Sequence, residues 1–545
     1  MRRVLFFIGI ICSLAGPLRA QETSFTRQDT LRGSITPERD WWDLTYYHLD
    51  IGLDIAEQKL CGTNTIRYKV LRAHPTMQID LQPPMFISEV RQDDKTLEFT
   101  RDGNAYFVQM TDNQTIGAIK ELTVQYGGAP VVAENPPWDG GLTWAEDANG
   151  NPFVATSVQG AGASLWWPCK DHMYDEPDSM LISVNVPDSL TNISNGRLRR
   201  VEDKQDGTHT FHWFVGNPIN NYGVNINVGD YVHFGETYEG EKGPLDCDYY
   251  VLRDDLAKAK KQFQQVPMML AAFEHWFGPY PFYEDGFKLV QVPYLGMEHQ
   301  SSVTYGNQYT NGYLGGDLSG TGWGLKFDFI IIHESGHEWF ANNITYKDIA
   351  DMWIHEGFTA YSENLYLDYH FGAEAAAAYV IGTRHNIQND QPIIGPYGVN
   401  KEGSVDMYYK GANMLHTLRH WLDDDEKWRQ ILRSLNADFY HQTVTTQQIE
   451  AYLIEKSGLD LAPFFDQYLR DTRIPTLEWR TDKKCLKYRW ANVVDGFAMP
   501  LLATVNGQEV RLEPTTDWSE KKFKKPVETV DFDKDFYIQH QTVDK

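Results

Sequence analysis

The chain is predicted to be a multidomain α+β protein, and three observations carry that prediction. From about residue 39 to 251 apolar and polar residues alternate: Ile66, Tyr68 and Val70 with Arg67 and Lys69, then Ile182, Val184 and Val186 with Ser183 and Asn185. A period of two, broken by Gly, Pro and Asn clusters, belongs to strands with one wet face, hence an N-terminal antiparallel β-domain over 21–251. After Arg253 the period becomes helical, giving a mostly helical region over 252–473. After Pro475 it returns to two, giving a small C-terminal β-domain over 474–545. A chain of 545 residues is too long for one ordinary domain.

Residues 1–20 carry the marks of a secretory signal peptide: Arg2 and Arg3, an apolar run over 4–15, and a cleavage site at Leu18-Arg19-Ala20. They predict a secreted or periplasmic protein with no transmembrane anchor after cleavage, because no other stretch has the length and hydrophobicity to span a bilayer. The formal net charge is −26, a balance that repels nucleic acid and anionic membranes. Beyond Cys12 in the signal, Cys61, Cys169, Cys247 and Cys485 are widely spaced, forming no zinc-knuckle pattern and allowing one or two bridges in an oxidising compartment. Asn113, Asn192 and Asn343 fit the short glycosylation pattern. Adjacent Trp166 and Trp167 read as core more readily than as a cleft lining.

In the helical region, Asp254 or Asp255 can cap a helix containing Leu256, Ala259, Phe263 and Val266, with a kink at Pro267. A strand over 287–292 follows, read as a sheet edge able to pair with an extended peptide. Helices are then expected over 326–340, 355–370, 373–382, 409–422, 428–434, 446–456 and 463–469. In the tail, Asn506-Gly507 between apolar runs predicts a tight hairpin.

The helix over 326–340 contains His333-Glu334-Ser335-Gly336-His337. On a helix, residues four apart share a face, so two imidazoles can hold one zinc ion while Glu334 is placed to take a proton from activated water. A third ligand is needed. Glu356, separated from His337 by eighteen residues, can return on a second helix; His355 is the rival, and only one of the two can face the ion. Glu338 and Asp351 are candidate acceptors behind the imidazoles.

His-Glu-x-x-His followed by Glu356 in Trp353-Ile354-His355-Glu356-Gly357-Phe358 resembles the aminopeptidase N-like family of gluzincin zinc metallopeptidases. Other segments are similar in order. Gly296-Met297-Glu298-His299 lies where the family has Gly-x-Met-Glu-Asn, Tyr408-Tyr409-Lys410-Gly411 resembles its Tyr-x-Lys-Gly, and Gln159 falls where it places a Gln or Glu. The resemblance covers roughly 40–480 and departs at Leu295 and His299. It implies a thermolysin-like catalytic domain with one zinc ion held by His333, His337 and Glu356. Glu334 would be the general base and Tyr408 the donor to the oxyanion, with Tyr409 only its neighbour. Gln159, Gly296, Met297 and Glu298 would bind substrate, with Glu298 gripping the free amine of a peptide. About seventy residues, β in pattern, follow Asp471, whereas larger members carry a long helical C-terminal domain, so the chain resembles a short form. Partners implied are peptides with a free N-terminus, and a homo-oligomer is compatible. A thermolysin-type endopeptidase and a non-catalytic scaffold are the alternatives, opposed by Glu298 and by the intact ligand set respectively.

Overall fold

The computed structural model describes residues 24–111 and 114–544. The signal peptide and the Asn113 pattern lie outside the described residues.

Alternation becomes sheet as expected. Trp42–Asp54, Lys59–Val70 and Ile119–Gly128 are central strands of an eight-stranded sheet. It is antiparallel throughout except where Trp42–Asp54 runs parallel to Ser179–Pro187. One face of these strands, with Ile66, Tyr68, Val70, Leu122 and Val124, closes over Trp166 and Trp167, both fully buried. The tryptophan pair is therefore core. Asn192 and Asn343 are buried too, bonded to Ser194 and Asn436, so neither can carry a glycan in the folded chain.

The expected border at 251/252 falls at the end of a strand that belongs to a larger sheet. Tyr231–Gly240 and Gly243–Leu252 continue into Phe287–Gln291, Val303–Tyr305 and Gly296–Met297, in that spatial order. Phe287–Gln291 is thus interior, paired on both sides, and the edge is Gly296–Met297. The predicted edge is corrected accordingly. Periodicity cannot distinguish an edge from a centre, because pairing is a property of neighbours.

The first helical stretch breaks earlier than expected, into Leu256–Gln262 and Gln265–Phe277. Pro267 sits in the first turn of the second piece, where a missing N–H costs nothing. Of the helix expected over 326–340, Phe329–Gly336 is α-helical and Glu338–Asn343 follows as a π-helical segment broken at Phe340 and Ala341, so the start is late; the next helix runs Trp353–Phe371. Ala373–Gly382 and Tyr409–Leu422 fall where expected. Asp424 caps Asp425–Asp438, and Thr445 caps Thr446–Ser457. The tail forms a four-stranded and a three-stranded sheet, with Asn506 and Gly507 both at positive φ in the hairpin turn. Its core residues, among them Leu477, Trp490, Leu501 and Phe532, are continuous with the helical core. The four described cysteines are free, and no described helix is long and apolar enough to cross a membrane.

Candidate active site

Three helices and one sheet edge converge on a cleft of about 700 Å³. Asp328 caps the motif helix, accepting from the backbone N–H groups of Ile330 and Ile331 at 3.2 and 3.4 Å. Ile330, Ile331 and Ile332 bury it on all sides, as an apolar run requires. Beyond His337 the helical path continues until Phe340 and Ala341, where the backbone leaves helical angles before Ile344–Tyr346.

Each motif histidine has one ring nitrogen engaged and one free for the cleft. His333 Nδ1 lies 2.7 Å from Glu363 Oε1. His337 Nδ1 lies 3.0 Å from the Phe340 carbonyl and 3.0 Å from Thr359 Oγ1. The two Nε2 atoms stand 3.6 and 3.3 Å from Glu356 Oε2. That oxygen is buried and has no hydrogen-bond partner among the described residues. A tetrahedral ion at ~2.0–2.2 Å from each donor sets them roughly 3.3–3.5 Å apart. Two imidazoles with fixed tautomers and one orphaned carboxylate oxygen at this spacing fit a zinc ion. Burial alone would raise the Glu356 carboxyl, yet the His337 and His333 imidazoles hold it far below the carboxylate range.

His355 is excluded as the third ligand. Its Nε2 accepts from the Tyr346 N–H at 3.0 Å, its ring packs against the Tyr346 ring at 4.2 Å, and burial holds its pKa well down. Glu338 and Asp351 do not back the imidazoles. Glu338 accepts from the Ser301 N–H at 2.7 Å. Asp351 accepts from Tyr397 and Thr446, both at 2.6 Å. Glu363 and Thr359 occupy the positions behind the rings. Glu363 had a signal in sequence, since seven residues past Glu356 is two turns along the same face.

Glu334 lines the cleft beside the triad, and burial pushes its carboxyl up to about 7. A cation among the donors would pull that value down. Tyr408 precedes the helix Tyr409–Leu422, its ring stacked over His333 with centroids 6.1 Å apart. Burial first, then the Glu356, Glu298 and Glu334 carboxylates, raise its phenol well above the ordinary value, so it is a protonated donor. Glycines bring Tyr408 and Glu356 together. A Cβ on Gly411 would lie 3.0 Å from the Gly357 Cα, so the helix carrying Glu356 and the helix after Tyr408 touch backbone to backbone.

Glu298 lies at the other side of the triad. Its Oε1 accepts from Gln159 Nε2 at 2.6 Å and from Tyr222 Oη at 3.0 Å, and its carbonyl accepts from Asn342 at 2.9 Å. Gln159 Nε2 also reaches Glu356 Oε1 at 3.0 Å. Desolvation raises the Glu298 carboxyl, opposed by His337. Tyr222 came from the β-domain with no local sequence signal. Gly296 is needed where it stands, because a Cβ there would meet Ile330 Cγ2 at 2.6 Å and Glu334 Cγ at 3.3 Å. Met297 follows it along the cleft wall. Of the two departures, Leu295 lines the cleft. His299 is buried beside Thr304, neutral because burial holds its pKa down to about 3.

The profile for the peptidase M1 N-terminal domain matches residues 44–222, and that for the peptidase family M1 domain matches 262–468. Aminopeptidase B of Mus musculus is 26% identical over 379 residues, covering 64% of this chain and 52% of that protein. Leukotriene A-4 hydrolase of Xenopus laevis is 22% identical over 446 residues, 77% of this chain and 68% of that protein. The chain therefore spans about half the length of aminopeptidase B. An M1 zinc metallopeptidase mutant from Deinococcus radiodurans, solved with a Tyr-Ser-Ala substrate, shares the fold with a TM-score of 0.68 at 20% identity, over 80% of this chain and 96% of that one. With both M1 profiles matched in order along one chain and the fold shared with M1 structures, this protein belongs to peptidase family M1.

Proposed function

We propose that the chain is a secreted zinc aminopeptidase that hydrolyses the N-terminal peptide bond of peptides. The observation that carries this reading is Glu298, buried beside the triad at one side of the cleft with Gln159 and Tyr222 around it. A free α-ammonium gives buried carboxylates the charge-assisted hydrogen bonds they need, and a blocked or continuing chain cannot. When the ammonium arrives, rotation of the Gln159 amide presents its oxygen as a second acceptor. Gly296–Met297, an edge strand paired on one side only, lies where it can align an extended substrate backbone.

His333, His337 and Glu356 would hold the ion. A zinc ion held there would supply Lewis-acid polarisation of the scissile carbonyl and a lowered pKa for water. Glu334 takes the proton from the attacking water and returns it to the leaving amine. Tyr408 donates its phenolic hydrogen to the developing oxyanion, a contribution of about 3 kcal/mol to the transition state. Glu363, Thr359 and the Phe340 carbonyl keep both imidazoles in the tautomer that leaves Nε2 free. The name of aminopeptidase B supports the same activity, and the sequence of residues 1–20 supports secretion. A second, endopeptidase reading has nothing comparable to Glu298 in its favour.

Glu334→Gln tests the assignment. The variant should retain its metal, measured by elemental analysis, and lose at least ~100-fold in kcat on an aminoacyl fluorogenic amide. Unchanged kcat would remove Glu334 from the reaction.

A further inference from the structure

A second cluster of metal-ligating side chains lies away from the cleft, where the helix Tyr409–Leu422 meets the C-terminal sheets. His416 and His420 stand four residues apart on that helix, the spacing of the motif pair, with ring centroids 4.5 Å apart. Asp535 approaches from the tail, its Oδ1 2.9 Å from His416 Nε2 and 3.9 Å from His420 Nε2. Asp533 accepts from the Asp535 N–H at 2.9 Å. We propose that His416, His420 and Asp535, with Asp533 beside them, bind a second zinc ion that clamps the C-terminal β-domain onto this helix.

The donors suit the ion. One atom from each of His416, His420 and Asp535 lies within 4.8 Å of the others. Two imidazoles and a carboxylate form a mixed nitrogen and oxygen set suited to zinc. His416 is 2% exposed, whereas His420 and Asp535 reach the surface, with side chains 31% and 24% exposed, which leaves the ion a way in. The ligand loop is fixed in advance: Arg384 donates to the carbonyls of Lys534 and Asp535 at 2.7 and 3.2 Å and to Asn413 Oδ1 at 2.6 Å. Tyr537 N–H donates to Thr417 Oγ1 at 2.9 Å, one residue along the helix from His416. The guanidinium is the one cost, a nearby positive charge, but its N–H groups face backbone and amide oxygens. The clamped helix is the one that begins after Tyr408, so the ion would brace the wall of the catalytic cleft from behind.

The two sites separate in a metal count. In His333→Ala/His337→Ala, which disables the catalytic triad, the full chain dialysed against ZnCl2 should retain one zinc per chain, and CoCl2 should give visible d–d absorption. Adding His420→Ala, or separately Asp535→Asn, should remove that ion and its absorption while far-UV circular dichroism keeps the folded signal. In the wild-type background either substitution should lower the count from two to one. A triad variant that binds no zinc overturns the proposal, as does a retained ion indifferent to both His420→Ala and Asp535→Asn.

Discussion

His333 and His337 differ in what stands behind them. His337 leans on a backbone carbonyl and a threonine hydroxyl, which no substitution of one carboxylate disturbs. His333 depends on Glu363, whose other oxygen accepts from the Tyr379 hydroxyl. Removing the charge while keeping the shape isolates that dependence. Glu363→Gln should weaken zinc affinity about 10–100-fold, read by competition with a chromogenic chelator, with little change in fold. Equal affinity would mean the carboxylate only fills space. At this scale the sequence was legible where spacing on one element sets geometry. His333, His337 and Glu356 converge as the motif implies, and Glu298 stands beside them. Glu338 and Asp351 were misplaced because a carboxylate near a motif in sequence has no fixed direction in space. Tyr222 left no trace, since it reaches Glu298 only through the packing of the β-domain on the helical one.

The elements that hold these residues touch at glycines. Gly357 follows Glu356, and Gly411 lies three residues past Tyr408, and they meet where their two helices touch. A methyl group on Gly411 meets backbone, which cannot rotate away, so the helices must separate. Gly411→Ala should cost on the order of 1–3 kcal/mol of stability, the usual cost of overpacking, seen as a lower Tm. It should also reduce kcat by at least ~10-fold, because displacement of Tyr408 from the oxyanion site weakens a transition-state contact. Full kcat with lowered Tm would show that Tyr408 tolerates the shift. Helix positions were readable from period and caps, as for Ala373–Gly382 and Thr446–Ser457. Helix ends were less so: the motif helix begins at Phe329, and the chain leaves helical angles at Phe340 and Ala341 because it must turn toward Ile344–Tyr346, a demand of the tertiary fold.

Across the whole molecule, the seam between β-domain and helical domain carries a half-buried acid. There Thr443 Oγ1 donates to the Tyr174 carbonyl at 3.3 Å; two residues on, burial pushes the Glu176 carboxyl up to about 8, and its Oε1 has no partner among the described residues. A folded pKa above the unfolded value of about 4.5 means the fold prefers the neutral acid. The stability this gives is complete below pH ~4.5 and is lost as pH rises through about 8. Glu176→Gln should therefore match wild type near pH 5 and exceed it in Tm by pH 9, a gap on the order of 1–3 kcal/mol. Identical pH profiles would show that the carboxyl ionises freely. The domain order was legible because periods of two and 3.6 differ in kind, whereas the sheet that runs across 251/252 was not, since strand pairing between distant segments has no local signature. The proposed function rests at this scale too, on a cleft closed at Glu298 by residues from both domains. It is tested most directly by kcat/KM for an aminoacyl fluorogenic amide and its N-acetyl derivative, each with and without a zinc chelator. The account predicts that acetylation lowers kcat/KM by at least ~100-fold and that chelation abolishes both activities. Equal cleavage of the two substrates would contradict it.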